Sequence, residues 1–157
     1  MSYRWNNFTV INEQQIGDGN VNVGDSFVYD GADASMYVYD NDWGLAGDRG
    51  ANERGSDYQP GWVFEDGAWE NAGNVYWEGY FTLTGSDGKT YYLIEIEGDG
   101  LDNSQDYFAF YGPVPPQGTT LTAQCYYNDC GSLSYACLDG GEITDDAIAP
   151  DAGNDFL

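Results

Sequence analysis

Three tryptophans, Trp62, Trp69 and Trp77, are interleaved with three glutamates, Glu65, Glu70 and Glu78. Aromatic rings stack on the apolar faces of sugars, and two carboxylates held roughly 5 to 9.5 Å apart in a cleft cleave glycosides, one of them raised in pKa by an apolar wall. Without catalysis the same rings, extended by Tyr76 and Tyr80, make a carbohydrate-binding face: exposed aromatics in a row, rimmed by Asn and Asp. The competing reading is that the tryptophans are core, because a chain with only seven Phe must fill its interior with something. With 27 Asp and Glu, some carboxylate falls near a Trp by chance. Binding is therefore expected ahead of hydrolysis.

A second chemistry sits in Gly98-Asp99-Gly100-Leu101-Asp102-Asn103-Ser104-Gln105-Asp106. A glycine-permitted turn that gathers hard oxygen ligands suits Ca²⁺, with Asp99, Asp102, Asn103 and Asp106 as the donors. The segment matches the G-x-G-x-D half of the calcium-binding β-roll repeat, but only once, so a single ion between strands is expected rather than a roll. Asp40, Asn41, Asp42 and Asp48 form a second candidate, discounted because Arg49 can pair with one of these carboxylates. For both clusters the plain alternative is a solvated acidic turn.

Cys125, Cys130 and Cys137 are the three cysteines, an odd number. The flanking runs read as a hairpin around Asp129-Cys130-Gly131. In the register that pairs Asp129 with Leu133, Cys125 falls opposite Cys137, close enough for a disulfide. Cys125 with Cys130, a three-thiolate zinc site and three free thiols remain as alternatives. The absence of His removes His-assisted nucleophiles, neutral-pH proton shuttles and imidazole ligands. Four Lys and Arg against 27 Asp and Glu give a net charge of −23. Such a field repels phosphate backbones and anionic headgroups, so neither nucleic acid nor a membrane surface is an expected partner.

The elements that must position these groups are strands. Short runs rich in Val, Ile, Thr, Tyr, Phe and Trp recur between Gly, Asn and Asp clusters, and helical spacing is not sustained. The expected fold is an all-β, jelly-roll-like antiparallel sandwich of about eight to ten strands over residues 1–139. An acidic tail follows over 140–157, with a short helix from Thr144 to Ala149 or an export signal. The clearest hairpin pairs 74–84 with 89–97 through Gly85-Ser86-Asp87-Gly88. Alternation places Trp77, Phe81 and Leu83 on one face, Ile94 and Ile96 in the core, and Glu95 and Glu97 in solvent. Residues 41–60 read as a long loop.

Residues Met1 to Asn7 carry no basic n-region and no apolar run. The expectation is a chain that stays in the cell or leaves without a classical signal. The Gly- and Asp-rich composition points outward, and Asp155-Phe156-Leu157 resembles the tails of proteins exported by bacterial type I systems. The Tyr91-Tyr92-Leu93-Ile94-Glu95-Ile96-Glu97 strand and the Phe110-Tyr111-Gly112-Pro113-Val114-Pro115-Pro116-Gln117-Gly118-Thr119-Thr120-Leu121-Thr122 segment resemble the N-terminal β module that precedes hedgehog/intein (Hint) domains in secreted alphaproteobacterial proteins. The resemblance covers roughly residues 75–138. It implies an extracellular accessory or adhesive module, calcium-associated, of unknown ligand; the aromatic and carboxylate surface itself points to a glycan or a protein assembly partner. No Hint motif follows Cys137, so self-cleavage is not implied. The runners-up are a carboxylate-based glycoside hydrolase and a virion or surface-layer structural protein.

Overall fold

The computed structural model describes residues 3–17, 22–41, 43–47, 59–102, 105–128 and 131–138. Asn103, Asp42, Asp48, Cys130 and the expected acidic tail with its helix lie outside these residues. Ten strands follow one another: β1 (Arg4–Asn12), β2 (Ser26–Val28), β3 (Ala34–Asp40), β4 (Gly44–Leu45), β5 (Pro60–Glu65), β6 (Ala68–Gly85), β7 (Thr90–Gly98), β8 (Tyr107–Phe110), β9 (Thr120–Asn128) and β10 (Leu133–Ser134). A 3₁₀ turn, Tyr135–Cys137, comes after β10. No α-helix occurs among the described residues, and none is long and apolar enough to cross a membrane. The all-β expectation holds.

The sandwich does not. Pairing runs β6-β5-β3-β1-β8-β7 and returns from β7 to β6, which closes a six-stranded antiparallel barrel; β9 and then β2 extend from β6. Closure depends on the length of β6, whose 18 residues reach past one partner. It pairs with β5 through Ala68–Asn74 and with β7 and β9 farther along. A strand shared in this way leaves the sheet no free edge at that seam.

The β5–β6 connection is Asp66-Gly67, both with positive φ (53° and 80°), the backbone a two-residue type I′ turn requires. The β6–β7 hairpin forms as expected, with Thr84 opposite Thr90. Its turn is tied by Asp87, which accepts from Tyr91 Oη (2.6 Å) and Lys89 N–H (3.1 Å). These hydrogen bonds, that of Tyr91 first, hold the Asp87 carboxyl below its ordinary pKa.

A bulge between Trp77 and Gly79 overturns the expected face of β6. Trp77 opposes Ile96 and Tyr80 opposes Ile94, whereas Phe81 opposes Leu93. One extra residue reverses the parity of every side chain beyond it. Trp77 therefore joins a core with Ile94, Ile96, Met36, Val38 and Val63. Phe81 and Leu83 join a second core with Leu93, Phe108, Phe110, Phe27 and Leu121. Strands β7 and β8 feed both clusters, which is why all four residues of β8 are buried. Gly79 is required at the bulge, since a Cβ there would collide with the Tyr126 ring and the Tyr127 carbonyl.

The hairpin expected around Cys130 is not made. β10 pairs with β4, Leu133 opposite Leu45, while β9 pairs with β6 and places Cys125 opposite Thr82. Cys125 is thus an exposed free thiol and Cys137 is buried in the first core, so the Cys125–Cys137 disulfide is replaced by separate placements. Among the described residues no cysteine belongs to a metal-ligating group.

Candidate functional site

Three neighbouring strands, β1, β3 and β5, alternate more buried with outward residues, and the adjoining first four residues of β6, Ala68 to Asn71, are all exposed. Their registers line the outward residues up in rows across the sheet. Trp5 faces Tyr39, and Asn7 faces Tyr37. Tyr37 in turn faces Trp62, and Ser35 faces Phe64. Trp62 then faces Asn71, and Phe64 faces Trp69. The outcome is an aromatic surface bordered by Asn7 and Asn71. Within it Trp5, Tyr37, Trp62 and Trp69 line a groove of about 540 Å³. Trp5 is 56% exposed, Trp69 55% and Trp62 38%. Ring contacts brace the surface: Tyr37 to Trp69 at 5.1 Å, Phe64 to Trp69 at 4.8 Å and Trp5 to Tyr39 at 4.9 Å between centroids.

Two of the five expected binding aromatics, Trp62 and Trp69, stand on this face. Trp77 is fully buried, and its Nε1 donates to the Gly131 carbonyl (2.9 Å). Tyr76 is half-buried and opposes Glu97, while Tyr80 packs against the core within 6.4 Å of the Trp77 ring. The expected row is split by a register shift in the β5–β6 pairing between Gly61 and Trp62, which leaves Ala72 without an opposite residue and sends Trp69 and Trp77 to different faces. Trp5 and Tyr37 were missed, although Tyr37 and Tyr39 alternate with Met36 and Val38 in a readable strand pattern. Nothing local in the sequence brings Trp5 beside Trp62; only the β1–β3–β5 pairing does.

The glutamates do not accompany these rings. Alternation in β5 and β6 turns Glu65 and Glu70 to the sheet face opposite Trp62, Phe64 and Trp69. Glu65 accepts from Tyr107 Oη (2.7 Å) and Asn12 Nδ2 (2.8 Å), and burial, then Glu65, hold the Tyr107 hydroxyl protonated far above its ordinary pKa. Glu70 accepts from Gln105 Nε2 (3.0 Å). Glu78 falls within the bulge.

Of the expected calcium donors, Asp99, Asp102 and Asp106 are described. Asp99 Oδ1 accepts from Asn74 N–H (2.9 Å) and lies against Gly73, tying the loop back onto β6. The Asp102 N–H donates to Gln105 Oε1 (2.9 Å). Neither carboxylate joins Asp106, which instead meets Glu95 and Glu97 on β7, with one oxygen from each within 4.8 Å of the others. Glu95 and Glu97 are half-buried rather than solvated. The Asp106 N–H donates to buried Glu13 (2.8 Å), and Tyr126 Oη donates to Glu95 Oε1 (2.8 Å). Burial, then Glu97 and Glu95, push the Asp106 carboxyl up to about 8. Like charges this close cannot all ionise without cost, so the cluster holds a proton at neutral pH or is suited to a cation.

The chain matches no family model, no curated protein and no solved structure. The functional reading rests on the aromatic face and the carboxylate cluster.

Proposed function

We propose that this is a non-enzymatic extracellular binding module whose outward β1–β3–β5–β6 face takes up a glycan. One observation carries the reading: indole and phenol rings from four adjacent strands converge on a groove walled by Trp5, Tyr37, Trp62 and Trp69. Exposed aromatics gathered in one patch mark a binding surface rather than scattered surface residues. Sugar rings present C–H faces to such walls, and the bordering Asn7 and Asn71 offer amides to the hydroxyl edge. Hydrolysis is disfavoured because Glu65 and Glu70 face away from the groove.

The extracellular setting follows the resemblance to modules of secreted Hint proteins. It also supplies a calcium-rich medium, in which Glu95, Glu97 and Asp106 would hold Ca²⁺ in place of the shared proton.

A glycan array tests the reading with the parent, Trp62→Ala and Trp69→Ala. Binding that is lost in both variants, with no release of reducing sugar from any hit, supports it. Sugar release abolished by Glu70→Gln would make the protein a hydrolase. A blank array together with concentration-dependent self-association, relieved by Trp69→Ala, would make the same face an assembly contact.

A further inference from the structure

Trp5 is also a wall of a second cleft, of about 310 Å³, shared with Asn7, Trp43, Ser134, Tyr135 and Ala136. The two grooves differ in chemistry. The first is walled by four aromatic rings. The second mixes Trp43, which is 64% exposed, with an amide, a hydroxyl and a strand edge, because residues 4–10 of β1 pair with β3 alone among the described strands. An edge of that kind presents backbone N–H and C=O groups. The second cleft is also held in shape. The Arg4 guanidinium lies 3.4 Å from the Trp43 ring centroid, and Tyr135 Oη donates to the buried Asp40 carboxylate (2.6 Å).

Resting on the glycan reading above, we infer that the ligand is a single soluble chain of neutral sugars laid across the strands from Trp69 to Trp43. Its ring faces lie in the first groove and its hydroxyls meet the second. From β6 to β1 is three strand spacings of about 4.8 Å, roughly 14 Å or about three hexose units; the second cleft extends the run beyond β1. The rings are not coplanar: Tyr37 and Trp69 are inclined by 54°, Phe64 and Trp69 by 49°, and Trp5 and Tyr39 by 42°. A flat crystalline polysaccharide surface would meet such rings one at a time, whereas a separate chain can twist to meet each. Polyanionic glycans are opposed by the net charge of −23, as is a second copy of this chain. Arg4 is engaged over Trp43.

The test is calorimetric titration of the whole chain with neutral β-1,4-linked gluco-, manno- and xylo-oligosaccharides of two to six units, beside soluble polygalacturonate and insoluble cellulose. For the series that binds, affinity should rise about tenfold or more from three units to six, the scale of one added aromatic contact with its hydrogen bonds. Trp43→Ala should bring the hexamer down to the affinity of the trimer. Ala136→Phe, which fills the second cleft and leaves the Arg4–Trp43 stack in place, should do the same and serves if Trp43→Ala fails to fold. Trp69→Ala should weaken trimer and hexamer alike. Equal affinity for trimer and hexamer, a hexamer unaffected by Ala136→Phe, or tighter binding to cellulose or polygalacturonate would overturn the inference and leave the glycan reading standing. Absence of binding to every sugar probe would overturn both.

Discussion

Replacing Asp106 by Asn should flatten the dependence of stability on pH. In the native protein the Asp106 carboxyl is pushed up from 3.8 to about 8, so between these values the folded chain keeps a proton that the unfolded chain releases. The sign follows from linkage: where the native state binds more protons, stability falls as pH rises. The contribution is full below pH 3.8 and is lost by about pH 8. Unscreened, a shift of that size corresponds to about 6 kcal/mol. Asp106 is only half-buried, and screening by solvent reduces the expected loss to about 1–3 kcal/mol. The introduced amide has no proton to lose, and it can still donate to Glu95. The backbone bond from residue 106 to Glu13 is untouched. Asp106→Asn should therefore match the parent near pH 4 and melt about 2–12 °C higher at pH 9, taking about 2–4 °C per kcal/mol for a chain of this size. Scanning calorimetry from pH 4 to 9.5 reads the effect. Asp102→Asn removes the same charge from an exposed turn and reports the general relief of a net −23. Melting curves that stay parallel across pH for the parent and Asp106→Asn, or equal gains from both variants, would refute the reasoning.

At pH 8 and matched ionic strength, CaCl₂ should raise the melting temperature more than MgCl₂, because half-buried carboxylates offer Ca²⁺ the irregular oxygen shell that Mg²⁺ tolerates poorly. The difference should vanish in Asp106→Asn and persist in Asp102→Asn; the reverse pattern would return the ion to the 99–106 turn. Trp77→Ala should cost about 3–5 kcal/mol in urea unfolding, since a fully buried indole and its bond to Gly131 are lost. Trp69→Ala should stay within about 1 kcal/mol, and similar losses for the two would contradict the assignment of core and face. In native protein a thiol reagent should modify Cys125 rapidly, and the buried Cys137 should react far more slowly, as read by mass mapping of the modified peptides.

Strand character was legible along much of the chain, because period-two burial is a local property. The alternation in Tyr91–Glu97 correctly sent Ile94 and Ile96 inward, and Gly85–Gly88 announced its own hairpin. The Asp66-Gly67 turn was equally visible as an Asp-Gly signature, yet β5 before it was passed over. The carboxylates near residue 100 and the exposed tryptophans at 62 and 69 were recognisable as chemically able residues. What they would meet was not.

Three tertiary decisions account for the difference. The bulge at Trp77/Gly79 reverses side-chain parity within an unbroken strand, so a single sequence pattern feeds two cores, and the register shift between Gly61 and Trp62 turns Trp77 away from the Trp69 face. The consecutive β1–β3, β3–β5 and β5–β6 pairings set these strands side by side, and only then do Trp5, Tyr37, Trp62 and Trp69 share a surface, although more than 60 residues separate the first from the last. The β7–β8 pairing, Glu95 opposite Phe108, carries the start of β8 alongside β7 and sets Asp106 beside Glu95 and Glu97. Residue type and alternation are written along the chain, whereas register and closure are properties of strand pairs, and a shift of one residue in a pair exchanges core for surface.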